Sequence, residues 1–233
     1  MTVHVVRDAD TLAGDVAARL TELVTERVAA GSVPRIVLTG GTIANAIYER
    51  LDATATDWSA VEWYWGDERF VPEGHEDRTD RQVREAFLDR AGVPAEKVHA
   101  MPAHGCDLSM AEAADAYAAE LPEDPFDVVL LGVGPDGHVA SLFPHHAASL
   151  HETSRRVVEE LDSPKPPAQR LSLTFPALNH TVRTWFLVSG DGKADAVARA
   201  LAPEGTVEQT PARGAHGLEE TLWLLDDDAA SAL

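Results

Sequence analysis

The sequence has very little cysteine, little lysine and no long apolar run. Cys106 is the single cysteine, which excludes an internal disulfide and a thiolate metal cluster and fits a reducing cytoplasm. No stretch approaches the roughly 20 apolar residues that span a bilayer as a helix. The opening MTVHVVRDAD lacks a charged-then-apolar leader pattern, so export is not expected. Lysine occurs only as Lys97, Lys165 and Lys193, and with 19 Lys+Arg against 39 Asp+Glu the formal net charge is -20. A field of that sign repels nucleic acid and anionic membranes, so neither is an expected partner. It repels an anionic small molecule as well, so any anion site has to be a local cationic pocket. No internal repeat, low-complexity block or linker interrupts the chain. A single domain over residues 1–233 and a monomer are expected.

What is present is an ordinary globular content, 45% hydrophobic, arranged in alternating short apolar runs and amphipathic stretches. Val3–Val6, Arg35–Thr39, Val61–Trp65, Val128–Val133, Val157–Leu161, Gln169–Phe175, Thr184–Val188 and Thr221–Leu225 read as strands, with a short candidate at Lys97–Met101. Asp10–Ala30 carries Leu12, Val16, Leu20, Leu23, Val24 and Val28 at helical spacing, with Asp10 or Thr11 as its cap and Gly31 ending it. Ile43–Leu51, Arg81–Arg90, Asp107–Leu121 and Ala194–Leu201 read as further helices, and Pro176–Asn179 as a short one. This alternation predicts an α/β, Rossmann-like three-layer fold, a mostly parallel sheet with helices on both faces. Right-handed crossovers place the turns at 39–42, 66–70, 134–141 and 189–193 along one sheet edge, where open α/β sheets bind ligands.

Those four turns carry the chemistry. DVVLLGVGPDGHVASLFP, from Asp127 to Pro144, is a buried strand breaking into Gly132, Gly134, Pro135, Asp136, Gly137 and His138. A carboxylate and an imidazole two residues apart are thereby exposed on one tight turn. Ser141 follows as a candidate helix cap or ligand contact. Thr39-Gly40-Gly41-Thr42 joins a strand to a helix, the arrangement in which backbone N–H groups and a helix N-terminus cradle a phosphate. Ser189-Gly190-Asp191-Gly192-Lys193 repeats that geometry and adds an ammonium group. Asp67-Glu68-Arg69 follows the strand VEWYW. Each turn taken singly also suits an ordinary connection, with surface ion pairs of little consequence.

Their order is more specific. GVGPDGHVASLFP resembles the signature of the 6-phosphogluconolactonase family, and its GxGxDGH core is shared with the related glucosamine-6-phosphate isomerase/deaminase family. GDERFVP resembles the lactonase DER loop, where the deaminases commonly carry DEY. RLSLT from Arg170 and SGDGK resemble two further family stretches. Two departures stand out: Thr39-Gly40-Gly41-Thr42-Ile43-Ala44 replaces an SGGSTP-like loop, and Thr79-Asp80 replaces a Ser-Asn pair. Asp80 loses a donor and adds charge there, so it is not taken as a ligand.

The resemblance implies hydrolysis of 6-phospho-D-glucono-1,5-lactone to 6-phosphogluconate in the oxidative pentose phosphate pathway. A lactone is an activated ester, so water with general-base help suffices, with no cofactor and no metal. His138 is the implied base, and Asp136 orients the imidazole or shapes the loop. Arg69 is placed at the developing oxyanion, and Asp67 at the sugar hydroxyls or beside Arg69. Thr39, Gly40, Gly41, Thr42, Arg170 and Lys193 are placed at the phosphate. Arg170 reads equally as a sheet-edge charge. The division of Arg69 and Arg170 between phosphate and carbonyl stays open. His145, His146 and His151 lack metal-site spacing and read as an exposed lid segment. Two alternatives are an amino-sugar-phosphate isomerase/deaminase, opposed by DER and SLFP, and a non-catalytic phosphosugar sensor, opposed by His138 and by the lack of a helix-turn-helix signature.

Overall fold

The computed structural model describes residues 1–233. Its strands are β1 (Thr2–Val6), β2 (Arg35–Leu38), β3 (Glu62–Trp65), β4 (Asp67–Arg69), β5 (Phe126–Leu131), β6 (Val157–Glu160), β7 (Arg170–Leu173), β8 (Thr181–Val188) and β9 (Glu220–Asp226). Its α-helices are α1 (Ala9–Ala29), α2 (Thr42–Arg50), α3 (Thr79–Val83), α4 (Met110–Glu120), α5 (Ala147–Leu150), α6 (Phe175–Leu178) and α7 (Ala194–Leu201). No helix is long and apolar enough to cross a membrane.

Six strands form a wholly parallel sheet in the order β1-β9-β8-β5-β2-β3, the expected α/β architecture. β5 is buried at every position, as a central parallel strand covered on both faces must be. Asp127 is tolerated inside it because its Oδ2 accepts the Arg35 N–H at 2.8 Å and its Oδ1 meets Arg27 Nε at 2.6 Å. The chain runs outward from β2 to β3 on one side, and from β5 to β8 and β9 on the other. The winding therefore reverses between β2 and β5, and a crevice opens at their carboxyl ends. Four neighbouring strands, β8, β5, β2 and β3, deliver the four chemical turns to that one edge.

A second, antiparallel sheet of order β4-β7-β6 lies beside this edge, joined to it where Leu173 N–H donates to Gly66 O at 2.8 Å. It corrects two expectations. The Asp67-Glu68-Arg69 segment is strand β4 rather than a turn, its middle side chain buried between two partly buried neighbours. Arg170 is no sheet-edge charge, because β7 is the central strand of this sheet and the side chain is buried.

Several element assignments also differ from the sequence pattern. The cap of α1 is Asp8, whose Oδ1 accepts the Thr11 N–H at 2.7 Å; Asp10 and Thr11 already lie inside the helix. α3 begins at Thr79 rather than Arg81, because Glu68 accepts the N–H groups of Thr79 and Asp80, and it continues as a π-helical turn over Arg84–Leu88. Lys97–Met101 makes only a single bridge, between Val98 and Trp63, in place of a strand. His99 is structural: it stacks on Tyr64 with 4.4 Å between ring centroids and meets Glu62 at 3.0 Å.

Candidate active site

The loop after β5 folds around its glycines. Gly134 N–H donates to His138 O and Gly137 N–H to Gly134 O, both at 2.9 Å, and Gly137 has a positive φ of 94°. A Cβ on Gly134 would collide with the His138 ring and the Asp136 carboxylate. The backbone thus passes directly under that pair. His138 Nδ1 lies 2.6 Å from Asp136 Oδ1. A carboxylate only accepts, so Nδ1 carries the proton of this bond and Nε2 takes no part in it. Burial opposes the charge on Asp136, but the hydrogen bond and charge of His138 outweigh it and hold the carboxyl well below its usual range. The His138 ring leans on Phe143, 4.7 Å between centroids.

The loop after β2 forms the second wall. Gly41 has φ 106° and stands at the N-terminus of α2, where no side chain caps the first N–H groups. Thr39 is pinned by Tyr48, whose hydroxyl donates to Thr39 O at 2.8 Å, and Thr39 Oγ1 accepts Gly132 N–H at 3.4 Å, tying the two loops together. A Cβ on Gly40 would sit 3.1 Å from Thr79 Oγ1 and 3.6 Å from Arg69 Nη1. Arg69 Nη1 donates to Thr79 Oγ1 at 2.9 Å and to Asp77 O at 3.2 Å. The guanidinium therefore lies against the Gly40-Gly41 turn.

The remaining charges come from β7, the loop before it and the start of α7. Arg170 Nη1 is 3.8 Å from Asp67 Oδ2, and its guanidinium stands 5.9 Å over the Phe143 ring. Its other donors hold Pro167 O and Lys165 O at 3.2 and 3.0 Å. Asp67 Oδ2 also accepts the Ser141 hydroxyl at 2.6 Å. Ser141 is fully buried, so it steadies Asp67 and neither caps a helix nor meets a ligand. Lys193 Nζ donates to Val133 O at 2.8 Å. Burial and the neighbouring Lys165 lower its pKa, with Asp136 pulling the other way. Lys165 also borders the cleft, and its ammonium has no hydrogen bond or ion pair within the protein. Burial lowers its pKa, while the charge of Asp136 raises it.

Every catalytic or binding candidate from the sequence except Asp136, which bonds to His138, and the buried Ser141 lines a single cleft of about 510 Å³. Asp80 lies apart, paired with Arg78 Nε at 2.7 Å. His146 pairs with Glu160 at 2.9 Å and His151 with Glu208 at 3.3 Å, so the histidine patch does not converge on one point. Sequence reasoning missed Lys165 and Thr79. The scarcity of lysine was the signal available for Lys165; for Thr79 it was the hydroxyl standing in place of the Ser of the family's Ser-Asn pair, although its contact with Arg69 could not be read from that.

The fold is an open α/β sheet whose switch-point cleft gathers a hydrogen-bonded His–Asp pair, two glycine-bearing turns and the side chains of Arg69, Arg170, Lys165 and Lys193. The family model for glucosamine-6-phosphate isomerases/6-phosphogluconolactonase matches residues 7–223, and the chain belongs to that family. It is 45% identical over 244 residues to the 6-phosphogluconolactonase of Mycobacterium tuberculosis, covering 100% of this chain and 98% of the relative. It is 44% identical over 251 residues to that of Streptomyces coelicolor, covering 100% and 94%. The crystal structure of 6-phosphogluconolactonase from Thermotoga maritima superposes with a TM-score of 0.84 at 27% identity, over 97% of this chain and 99% of that one.

Proposed function

We infer that the protein is a 6-phosphogluconolactonase, hydrolysing 6-phospho-D-glucono-1,5-lactone to 6-phospho-D-gluconate in the oxidative pentose phosphate pathway. Near-full-length likeness to proteins of that name supports the reaction. The observation that carries the chemistry is the His138–Asp136 pair at 2.6 Å in the cleft that also holds the anion cradle. In this reading His138 Nε2 takes a proton from water as the oxygen attacks the lactone carbonyl carbon. The tetrahedral intermediate collapses by breaking the bond to the ring oxygen, which receives the proton back from the imidazolium. Asp136 holds the tautomer and offsets the imidazolium charge.

The cations divide by their neighbours. Arg69, with Gly40, Gly41, Thr42 and Thr39, serves the phosphate, because its guanidinium abuts the Gly40-Gly41 turn. Arg170 serves the lactone end with Asp67, because the Phe143 ring beneath it also touches His138. Lys193 and the unpaired Lys165 add positive charge between them. Purified protein given freshly made lactone should release acid well above the spontaneous rate. A rate no higher than the spontaneous one would rule this function out.

A further inference from the structure

Glu68 is a carboxylate that the reaction above leaves unused, although it is only 1% exposed. Its Oε1 accepts the N–H of Arg69 at 2.8 Å and of Thr79 at 2.9 Å, and its Oε2 accepts the N–H of Asp80 at 2.9 Å. One donor belongs to the backbone of the arginine in β4, and two open α3. Side chains close the ring, since Arg69 Nη1 donates to Thr79 Oγ1 at 2.9 Å. Gly40 abuts this junction so closely that its Cβ would lie 3.1 Å from Thr79 Oγ1. Burial pushes the Glu68 carboxyl up to about 7, against its three N–H donors and the charge of Arg78. Arg78 is itself buried and committed to Asp80 and to Met101 O, each at 2.7 Å. A group held at such a desolvation cost is expected to fix something that a neutral side chain would not.

We propose that Glu68 is a positioning residue: it locks the Arg69 backbone and Thr79 together, so that the Arg69 guanidinium is held against the Gly40-Gly41 turn in the bearing the substrate phosphate requires. This rests on the reading of Arg69 as a phosphate ligand. A carboxylate that merely stapled β4 to α3 would stabilise the fold without directing the guanidinium.

Kinetics of Glu68→Gln, Thr79→Val and Arg69→Ala, alone and paired, separate the two. Gln keeps the shape but turns an amide NH₂ toward a backbone N–H. Val removes the hydroxyl that receives the guanidinium. Glu68→Gln and Thr79→Val should each raise KM about tenfold, with kcat within about threefold of wild type. Added to Arg69→Ala, either should change KM by less than about twofold, because the lock has nothing left to hold. A fall in kcat at unchanged KM, which is loss of folded enzyme, would overturn the proposal. So would an effect that multiplies in full with Arg69→Ala. If Glu68→Gln does not fold, Thr79→Val reads the same lock from its other side, with the same deciding outcomes. An Arg69→Ala enzyme with wild-type KM would instead refute the phosphate role of Arg69, a failure distinct from an independent Glu68 effect.

Discussion

Lys165 and Lys193 bring two ammonium groups to the same cleft in different states. Lys193 already shares a proton with Val133 O at 2.8 Å, whereas Lys165 has no protein partner. Both should act on the substrate's negative charge, so Lys193→Ala and Lys165→Met should chiefly raise KM, by about tenfold, with the larger rise at Lys165. Initial-rate kinetics check this, and an unchanged KM for both would remove them from the binding set. Asp136 belongs to the residue scale too. Its folded pKa lies below the ordinary 3.8, so the stability it contributes is fully present above that value and is lost as pH falls beneath it. Wild type and Asp136→Asn should differ in denaturant midpoint at neutral pH and converge in acid below 3.8; a constant gap would contradict the pairing. The Asp136–His138 pair was legible in the sequence because two residues and one glycine bring it together. Lys165 was not, because its approach depends on β7 returning across the carboxyl edge of the parallel sheet.

Among the elements, the β5 loop runs its backbone directly under the His138–Asp136 pair. A Cβ at Gly134 would strike both members of the His138–Asp136 pair. Gly134→Ala should therefore lower kcat about 100-fold while KM changes little, if the Thr39–Thr42 turn, which it leaves untouched, holds the phosphate as proposed. A variant with wild-type kcat would show that the pair need not sit where it does. The strands β2, β3, β5 and β8 and the helix α1 were legible because each carries its own apolar pattern over four or more residues. β4 was hidden because three residues hold no period and its partner β7 lies far along the chain. The start of α3 was hidden for the same reason: a carboxylate from β4, not a local cap, accepts its first N–H groups. At Lys97–Met101 the apolar pattern was present but the backbone found only one bridge.

At the scale of the whole molecule, a chain of net charge -20 takes up an anionic substrate. Attraction must then act at short range, within a Debye length of about 8–10 Å at ordinary salt, from Arg69, Arg170, Lys165, Lys193 and two helix N-termini. Added salt should raise KM more than it changes kcat; a KM indifferent to salt would count against a cationic pocket. The fold makes such a pocket possible because the winding reverses between β2 and β5, so that the Thr39–Thr42 turn and the His138 loop become neighbours at one crevice. We propose that His138, placed there, is the base that activates water. The most direct test is acid release from fresh 6-phosphogluconolactone by wild type and His138→Gln across pH, with spontaneous hydrolysis subtracted at each point. His138→Gln should lose about 100- to 10,000-fold in kcat at every pH, with only a modest change in KM. A His138→Gln enzyme with kcat near that of wild type would contradict that role.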